Sequence, residues 1–203
     1  GPADAGDAPQ PADDSDTGAD EAGGTPDRIP CIAASLDFEQ LEREAGEAEA
    51  AYYPIYLVET SEGMVAVDGT DGEVKGVEPR LDDVAGDALE LLKRGERSRG
   101  ELVEALDTSL GELEAAVDAL AEHGLVAVDG DTYRYAGFPG FVREQEQVAP
   151  DAGTVIDAEI DEGAAARHAV AEVGGEQRAV EQVYYPYYTV GERVFDAVRA
   201  EEV

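Results

Sequence analysis

The sequence predicts an α+β fold in which two similar helix-and-strand units flank three central helices and a β-hairpin. Two observations lead to this prediction. The strand Tyr-Tyr-Pro-x-Tyr occurs twice, at Tyr52–Tyr56 and again at Tyr184–Tyr188. Between the copies, residues 81–137 carry apolar side chains at helical spacing, followed by two short alternating segments around an Asp-Gly turn.

The charge balance is extreme. Among 203 residues, 48 are acidic and 14 are basic, which gives a net charge of -34 at pH 7. Such repulsion destabilises a compact state in dilute salt, whereas molar salt shortens the Debye length to roughly 3 Å. Lys75 and Lys93 are the only lysines, and this acidic, lysine-poor composition resembles that of halophilic, haloarchaeal cytoplasmic proteins. The alternative is an acidic protein that binds cationic partners.

Cysteine usage and apolar runs bound the cellular context. Cys31 is the single cysteine, which excludes an intramolecular disulfide and a cysteine-based metal site. Nothing resembles a signal peptide, and the apolar runs are too short to span a membrane. We therefore expect a soluble, cytoplasmic protein that does not bind a membrane. The start at Gly1-Pro2 further suggests a processed or partial chain.

Residues 1–28 are expected to be a disordered acidic tether. They consist mainly of Asp, Ala, Gly and Pro and contain no aromatic side chain. Such a segment cannot bury enough apolar surface to offset its ordering entropy.

Residues 29–80 form the first predicted αβ unit. Asp37 is placed to cap a short helix, and an alternating strand follows from Tyr52. Its two faces carry different sets: Tyr53, Ile55 and Leu57 on one, and Tyr52, Tyr56 and Val58 on the other. The segments "MVAVDG" and "GEV" are predicted to be further strands.

Residues 154–203 repeat this plan after a predicted linker at 138–153. Asp161 is the helix cap, and the second hairpin is shorter by four residues. The equivalent positions beyond the tyrosines are Gly63 and Gly191, Ala66 and Val194, and Asp68 and Asp196. Two copies are too few for a solenoid, so we expect the units to pair with each other.

The segment "AVDGTDGEV" at Ala66–Val74 resembles the end of PepSY-type domains. This resemblance implies a short helix packed on a small antiparallel sheet and a non-catalytic, interaction or inhibitory role. The second copy ends "FDAVRAEEV" and lacks the glycine of that pattern.

Residues 81–137 predict three helices and a hairpin. Ser98 is placed to cap the second helix, and Gly124 ends the third. The expected inward residues are Val84, Ala88, Leu91 and Leu92, then Leu102, Val103 and Leu106, then Leu110, Leu113, Val117 and Leu120. With the ending "AEHGLVAVDGDTYRY", the whole segment resembles the winged helix-turn-helix family.

DNA-binding members of that family insert the third helix into the major groove with polar or cationic side chains. Here its expected exposed face is Gly111, Glu112, Glu114, Ala115, Asp118 and Glu122, whose carboxylates would oppose phosphates. The residues that could contact a nucleic-acid backbone are Lys93, Arg94, Arg97, Arg99 and Arg134. The alternative is that these cations stabilise helix ends.

No enzyme is predicted. His123 and His168 stand alone, without a nearby cysteine or second histidine. The sequence contains no Walker loop, no Gly-x-Ser-x-Gly elbow and no dinucleotide fingerprint. We therefore expect no catalytic residue, no metal and no cofactor.

Seven of the nine tyrosines lie in the two repeated strands. They are Tyr52, Tyr53, Tyr56, Tyr184, Tyr185, Tyr187 and Tyr188. One interpretation is a partner-binding platform, and the other is packing of copy against copy, in which Tyr56 and Tyr188 would be coupled. Proline at the third position favours an edge strand or a bulge, because it cannot donate to a ladder.

The resulting prediction is a non-catalytic interaction or scaffolding module. The Tyr-Tyr-Pro-x-Tyr strands resemble strands near the ends of archaeal ATPases that act on DNA, which implies an accessory or C-terminal region of a larger DNA-processing ATPase or complex. The alternative is a winged-helix DNA-binding transcriptional regulator. The expected partner is a protein or an upstream domain of the same chain, DNA is the less favoured partner, and the chain is expected to be a monomer or homodimer.

Overall fold

The structure, a computed structural model, describes residues 28–150 and 153–203. The tether predicted at the amino terminus lies, except for Arg28, outside these residues. Within them the fold is α+β, as predicted, with five α-helices, a nine-stranded mixed sheet and a separate three-stranded sheet. No helix in this part of the chain is long and apolar enough to cross a membrane.

The elements follow the chain in three groups. The first group is β1 (Ile29–Ile32), α1 (Phe38–Ala45), β2 (Glu49–Thr60), β3 (Gly63–Asp68) and β4 (Val74–Pro79). The middle group is α2 (Asp83–Lys93), β5 (Arg97–Ser98), α3 (Arg99–Leu106), α4 (Leu110–Glu122), β6 (Val126–Asp129) and β7 (Thr132–Tyr135). After a 3-10 turn at Pro139–Phe141, the last group is β8 (Gln145–Val148), β9 (Gly153–Val155), α5 (Glu162–Val173), β10 (Gln177–Val190), β11 (Arg193–Asp196) and β12 (Glu201–Glu202).

The helices that cover the large sheet start in the same way. Asp37 precedes α1 and Asp161 precedes α5, and each carboxylate accepts a hydrogen bond of 2.7 Å from the backbone N–H three residues later. Gly46 and Gly174 end the two helices with positive φ angles of 106° and 80°. Both helices therefore begin and end on the same kinds of local signal.

The two copies share one sheet, in the order β12-β11-β10-β2-β3-β4. The long strands β2 and β10 are antiparallel neighbours at its centre. In addition, β1 runs parallel to β10, with Cys31 opposite Tyr184, and β9 runs parallel to β2, with Val155 opposite Tyr52. The first strand of each copy thus pairs with the long strand of the other copy.

The central pairing is symmetric. Tyr52 lies opposite Pro186, Tyr53 opposite Tyr185, and Pro54 opposite Tyr184. The first three residues of one motif therefore pair with the first three residues of the other in reverse order, and the symmetry centre falls between Tyr53 and Tyr185.

The prediction of an edge or bulge at the two prolines is wrong, because β2 and β10 are interior strands and are in register there. Each proline lies at the point where one neighbouring strand ends and another begins, on the side of its strand that faces away from the β2–β10 pairing. Beside β2, the β9 pairing ends at Tyr52 and the β3 pairing begins at Ile55. The Pro54 carbonyl accepts from the backbone N–H of Gly69 at 2.8 Å, and the Pro186 carbonyl accepts from Ala197 at 3.2 Å. The N–H that each proline lacks would therefore face the gap between two neighbouring strands, so its absence interrupts no ladder of hydrogen bonds.

The middle group packs around its own apolar cluster, and Ser98 and Ser109 cap α3 and α4 with reciprocal bonds to Glu101 and Glu112. Two details of the predicted core are wrong. The buried stripe of α2 is Ala85, Ala88, Leu89 and Leu92, whereas Val84 and Leu91 are half-buried at its margin. Leu110 is 46% exposed, because the buried face of α4 starts one turn later, at Leu113.

The segment predicted as a linker contributes to the large sheet in its described part. β8 pairs antiparallel with β1. Phe138 is buried and lies directly over Gly76 of β4, where a side chain would collide with its ring. Phe138 and the 3-10 turn after it thus cover part of the sheet face opposite the helices.

Candidate functional site

A groove of about 350 Å³ lies on the face of the large sheet that α1 and α5 leave uncovered. Tyr53, Tyr185 and Tyr187 line it, with Phe138 on one side. Its lining also includes two carboxylates and two cations: Asp68, Asp196, Lys75 and Arg199. We call this feature the tyrosine groove. It lies over the symmetry centre of the two copies, because Tyr53 and Tyr185 are cross-strand partners.

Strand alternation sorts the seven repeated tyrosines into two sets. Tyr52, Tyr56, Tyr184 and Tyr188 point to the face that the helices cover, and Tyr53, Tyr185 and Tyr187 point to the groove. The sequence analysis treated all seven as one set, for partner binding or for packing, whereas the structure brings three of them together at an open surface.

The covered tyrosines pack between the sheet and the helices. The Tyr56 hydroxyl donates to the Ile160 carbonyl at 2.8 Å, just before α5. Tyr188 makes an edge-to-face contact with Phe38 of α1, with ring centroids 5.0 Å apart. Each helix therefore packs against the last tyrosine of the other copy.

Tyr56 and Tyr188 do not contact each other. They belong to separate apolar clusters, one under α5 and one under α1. Along β2, Tyr56 is six positions from Ala50, which lies opposite Tyr188. That spacing corresponds to about 20 Å. The expectation that these two tyrosines are coupled is therefore wrong, whereas Tyr52 and Tyr188 do share a cluster.

The groove tyrosines form an aromatic floor. Tyr53 and Tyr187 meet edge to face with centroids 5.4 Å apart, and Tyr185 lies 5.3 Å from Tyr187. Phe138 continues the row at 5.8 Å from Tyr185. Tyr53 remains 36% exposed, and its neighbour Val194 is also exposed. The floor is therefore a preformed aromatic surface with one open end.

Asp196 and Asp68 occupy equivalent positions in the two copies, and both are buried. Asp196 accepts from the Tyr185 hydroxyl at 2.9 Å and from the backbone N–H groups of Val198 and Arg199. Asp68 accepts from the backbone and hydroxyl of Thr70 at 2.8 and 2.6 Å. Each carboxylate thus holds the turn that follows its own strand.

The phenols of Tyr185 and Tyr187 are neutral near pH 7, because the pKa of each is raised. Burial raises the pKa of Tyr185, and the adjacent Asp196 carboxylate raises it further. Burial also raises the pKa of Tyr187, with Asp196 adding to the effect and Lys75 and Arg199 opposing it. In the described residues, no group of three or more His, Cys, Asp or Glu side chains could hold a metal ion. The groove can therefore offer aromatic surface and hydrogen bonds.

Two of the five cations predicted to contact a nucleic acid are paired with carboxylates. Lys93 lies 2.5 Å from Glu78 and 2.9 Å from Glu90. Arg99 pairs with Asp131 at 3.0 Å and donates to the Tyr133 hydroxyl. Arg94 and Arg134 are exposed, and Arg97 is half-buried in β5. The exposed face of α4 carries the acidic residues predicted for it.

Several groove residues were missed by the analysis of the sequence. Asp68 and Asp196 were aligned as equivalent but not recognised as groove residues, although acidic residues that recur in both copies are a usable signal. Lys75, Phe138 and Arg199 carry no such signal. Phe138, for example, reaches the groove from the segment after β7.

No protein-family model, no curated protein and no solved structure matches this chain. The geometry of the chain itself therefore carries the functional argument.

Proposed function

We propose that this chain is a non-catalytic interaction module that holds an apolar or aromatic side chain of a protein partner in the tyrosine groove. The observation that carries the proposal is the aromatic row of Tyr53, Tyr187 and Tyr185, which is preformed and open at Tyr53. Preformed aromatic surfaces with hydroxyl groups at their rim are typical anchor sites of protein interfaces.

The charges around the groove favour an uncharged anchor. Asp196 accepts hydrogen bonds from Tyr185 and from its own turn, and Asp68 accepts two from Thr70 and lies 3.8 Å from Lys75, so both carboxylates already have partners within the chain. Lys75 and Arg199 balance them in number, although the whole chain carries a net charge of -34. The groove is therefore a locally neutral region in which an approaching partner meets little net repulsion.

The wider assignment combines three resemblances. Three helices followed by a hairpin, in the order α2, α3, α4, β6 and β7, support a winged helix-turn-helix unit. A short helix against antiparallel strands in each copy supports PepSY-like repeats. The repeated Tyr-Tyr-Pro-x-Tyr strands support a place for the module in a larger archaeal DNA-processing ATPase or complex.

The alternative, a DNA-binding regulator that inserts α4 into the major groove, has less support. The exposed face of that helix carries Glu112, Glu114, Asp118 and Glu122. These carboxylates would lie against phosphates or base edges. A mobility shift of duplex DNA that is strengthened when Glu114 and Asp118 are replaced by glutamine and asparagine would favour this alternative.

Selection from a random peptide library displayed on phage, carried out in about 2 M KCl to screen the net charge, tests the proposed function. We expect enriched peptides that share an aromatic or large aliphatic anchor. Tyr53→Ala and Tyr187→Ala should abolish their binding, and Val128→Ala, at a 53% exposed position of β6, should leave it unchanged. Circular dichroism checks that each variant is folded. Enriched peptides that bind the two groove variants as well as the wild type would contradict the proposal.

A further inference from the structure

A second groove, of about 590 Å³, lies between the β6–β7 hairpin and the chain segment after β11. Three arginines line it. Arg134 comes from β7, Arg143 follows the 3-10 turn, and Arg199 follows β11. We call this feature the arginine groove.

The composition of this groove is the reverse of that of the chain. Basic residues make up 14 of 203 positions and acidic residues 48. Three of the eleven residues that line the groove are basic, and one, Glu201, is acidic. A surface adapted only to stay hydrated and negative would not gather three guanidinium groups around one depression.

Within the part of the chain that the structure describes, the three guanidinium groups form no ion pairs. None of the ion pairs found in residues 28–150 and 153–203 includes Arg134, Arg143 or Arg199. Arg143 is held in place, because its Nε donates to the Ala33 carbonyl at 3.3 Å and its Nη2 donates to the Ser35 hydroxyl. Its remaining N–H groups and those of the two exposed arginines can take a ligand.

We propose that the arginine groove binds the phosphate backbone of a nucleic-acid strand. Planar guanidinium groups bind phosphate oxygens through paired N–H donors, and they do so better than lysine. The groove is open to solvent and much larger than one phosphate group, and its donors come from three separate segments. Those features suit a backbone that passes through the groove rather than a single enclosed anion.

This site is distinct from the helix that the winged-helix family uses. The exposed face of α4 is acidic, whereas Arg134 lies on the hairpin that follows it. The proposal does not depend on which partner occupies the tyrosine groove, although Arg199 also lines that groove.

Salt dependence gives the sharpest prediction. For a single strand, the logarithm of the binding constant falls with the logarithm of the salt concentration by about 0.7 for each phosphate that is neutralised. Three arginine contacts therefore predict a slope of about -2. The long-range repulsion from the net charge acts over the Debye length, which molar salt reduces to roughly 3 Å, so in this range the salt dependence reports the arginine contacts rather than the net charge.

The test is fluorescence anisotropy of a labelled oligothymidine of about 20 nucleotides between about 0.5 and 2 M KCl, over which the slope is read. We expect binding by the wild type with the slope given above. Arg134→Ala and Arg199→Ala should each weaken binding and reduce the slope by about 0.7. Arg167→Ala, an exposed arginine of α5, is the matched control and should change neither quantity.

The proposal is overturned if the folded wild type does not bind the oligonucleotide at the lowest salt. It is equally overturned if Arg134→Ala and Arg199→Ala bind with the wild-type slope. Inorganic phosphate at a matched phosphate concentration should compete weakly. Full competition would show a site for a free anion instead of a strand.

Discussion

Tyr53 and Tyr185 lie directly opposite each other in the β2–β10 ladder, and the pairing of the two copies is symmetric about them. From this centre outward, each copy supplies a first strand to the other copy's long strand and a helix that packs against the other copy's last tyrosine. Neither copy completes its own sheet or covers the last tyrosine of its own motif. The two motif-bearing segments therefore form one interlocked unit with the tyrosine groove at its centre.

The hydroxyl of Tyr185 should matter for stability, and that of Tyr53 should not. Tyr185→Phe leaves the buried Asp196 with backbone donors only, which should lower the free energy of unfolding by about 1–3 kcal/mol. Tyr53→Phe changes the equivalent, partly exposed position and should stay within about 0.5 kcal/mol of the wild type. Urea unfolding of both variants in about 2 M KCl measures the difference. Equal losses would contradict the role assigned to Asp196.

Folding should require salt. The net charge of -34 is repulsive in dilute solution and is screened when the Debye length falls to roughly 3 Å. We expect a strongly higher melting temperature by circular dichroism in about 2 M KCl than in about 0.1 M. Sodium sulfate at equal ionic strength is a useful comparison, because it also strengthens apolar burial. Equal melting temperatures in dilute and concentrated KCl would refute the expectation.

Alkaline pH should destabilise the fold through Cys31 and Tyr188. Burial raises the pKa of the Cys31 thiol from 9.0 to about 12, with Glu146 adding to the effect, and burial raises the pKa of Tyr188 from 10.0 to about 12. Both pKa values are higher in the folded state, so the stabilisation is complete below the unfolded pKa and is lost as pH rises toward 12. The loss is at most about 1.4 kcal/mol per pH unit for each group.

Cys31→Ala separates the contribution of the thiol from that of the phenol. Between about pH 8 and pH 11, the free energy of unfolding of this variant should fall less steeply than that of the wild type. Urea unfolding at the two pH values provides the measurement. Parallel pH dependences would show that the thiol does not titrate with unfolding.

An ion pair joins the middle group to the large sheet. Lys93 of α2 contacts Glu78 of β4, both side chains are largely buried, and Glu78 Oε2 has no hydrogen-bond partner among the described residues. Lys93→Met should therefore cost about 3 kcal/mol, because it leaves the Glu78 carboxylate buried and unpaired. Adding Glu78→Gln should restore part of the loss. Glu90→Gln, which removes the exposed partner of Lys93, should cost less than about 1 kcal/mol. Thermal melts of the single and double variants measure these losses. If all of the losses were near zero, the middle group would be energetically independent of the large sheet.

Local signals in the sequence were sufficient for the helices, for the two long strands and for the division of the tyrosines between two faces. Asp37, Asp161 and Ser98 cap the helices that they were expected to cap. Alternation placed Tyr53 and Tyr56 on opposite faces, because side chains in a strand have a period of two. These features depend on neighbours in the chain.

Features that depend on distant segments could not be predicted. The parallel pairing of Cys31 with Tyr184 joins residues 153 positions apart, and no local pattern distinguishes it from pairing within one copy. The same limit applies to Pro54, whose lack of an N–H is tolerated only because β9 ends and β3 begins beside it. Phe138 entered the groove from a segment with no periodic pattern, so the groove itself was not foreseen.

The interlocked packing predicts which tyrosine pairs are energetically coupled. Replacing a buried aromatic residue with alanine typically costs about 3–5 kcal/mol, so Tyr52→Ala, Tyr56→Ala and Tyr188→Ala should each lower the melting temperature strongly. Tyr52 and Tyr188 come from different copies but share the cluster under α1, whereas Tyr56 lies under α5. The loss in Tyr52→Ala/Tyr188→Ala should therefore depart from the sum of the single losses by about 0.5 kcal/mol or more, and the loss in Tyr56→Ala/Tyr188→Ala should be additive within about 0.5 kcal/mol.

Urea unfolding in molar KCl of the single and double variants measures both cycles. Additivity in both cycles would mean that Tyr52 and Tyr188 do not pack together, and coupling only between Tyr56 and Tyr188 would mean that the two copies face each other in a different register.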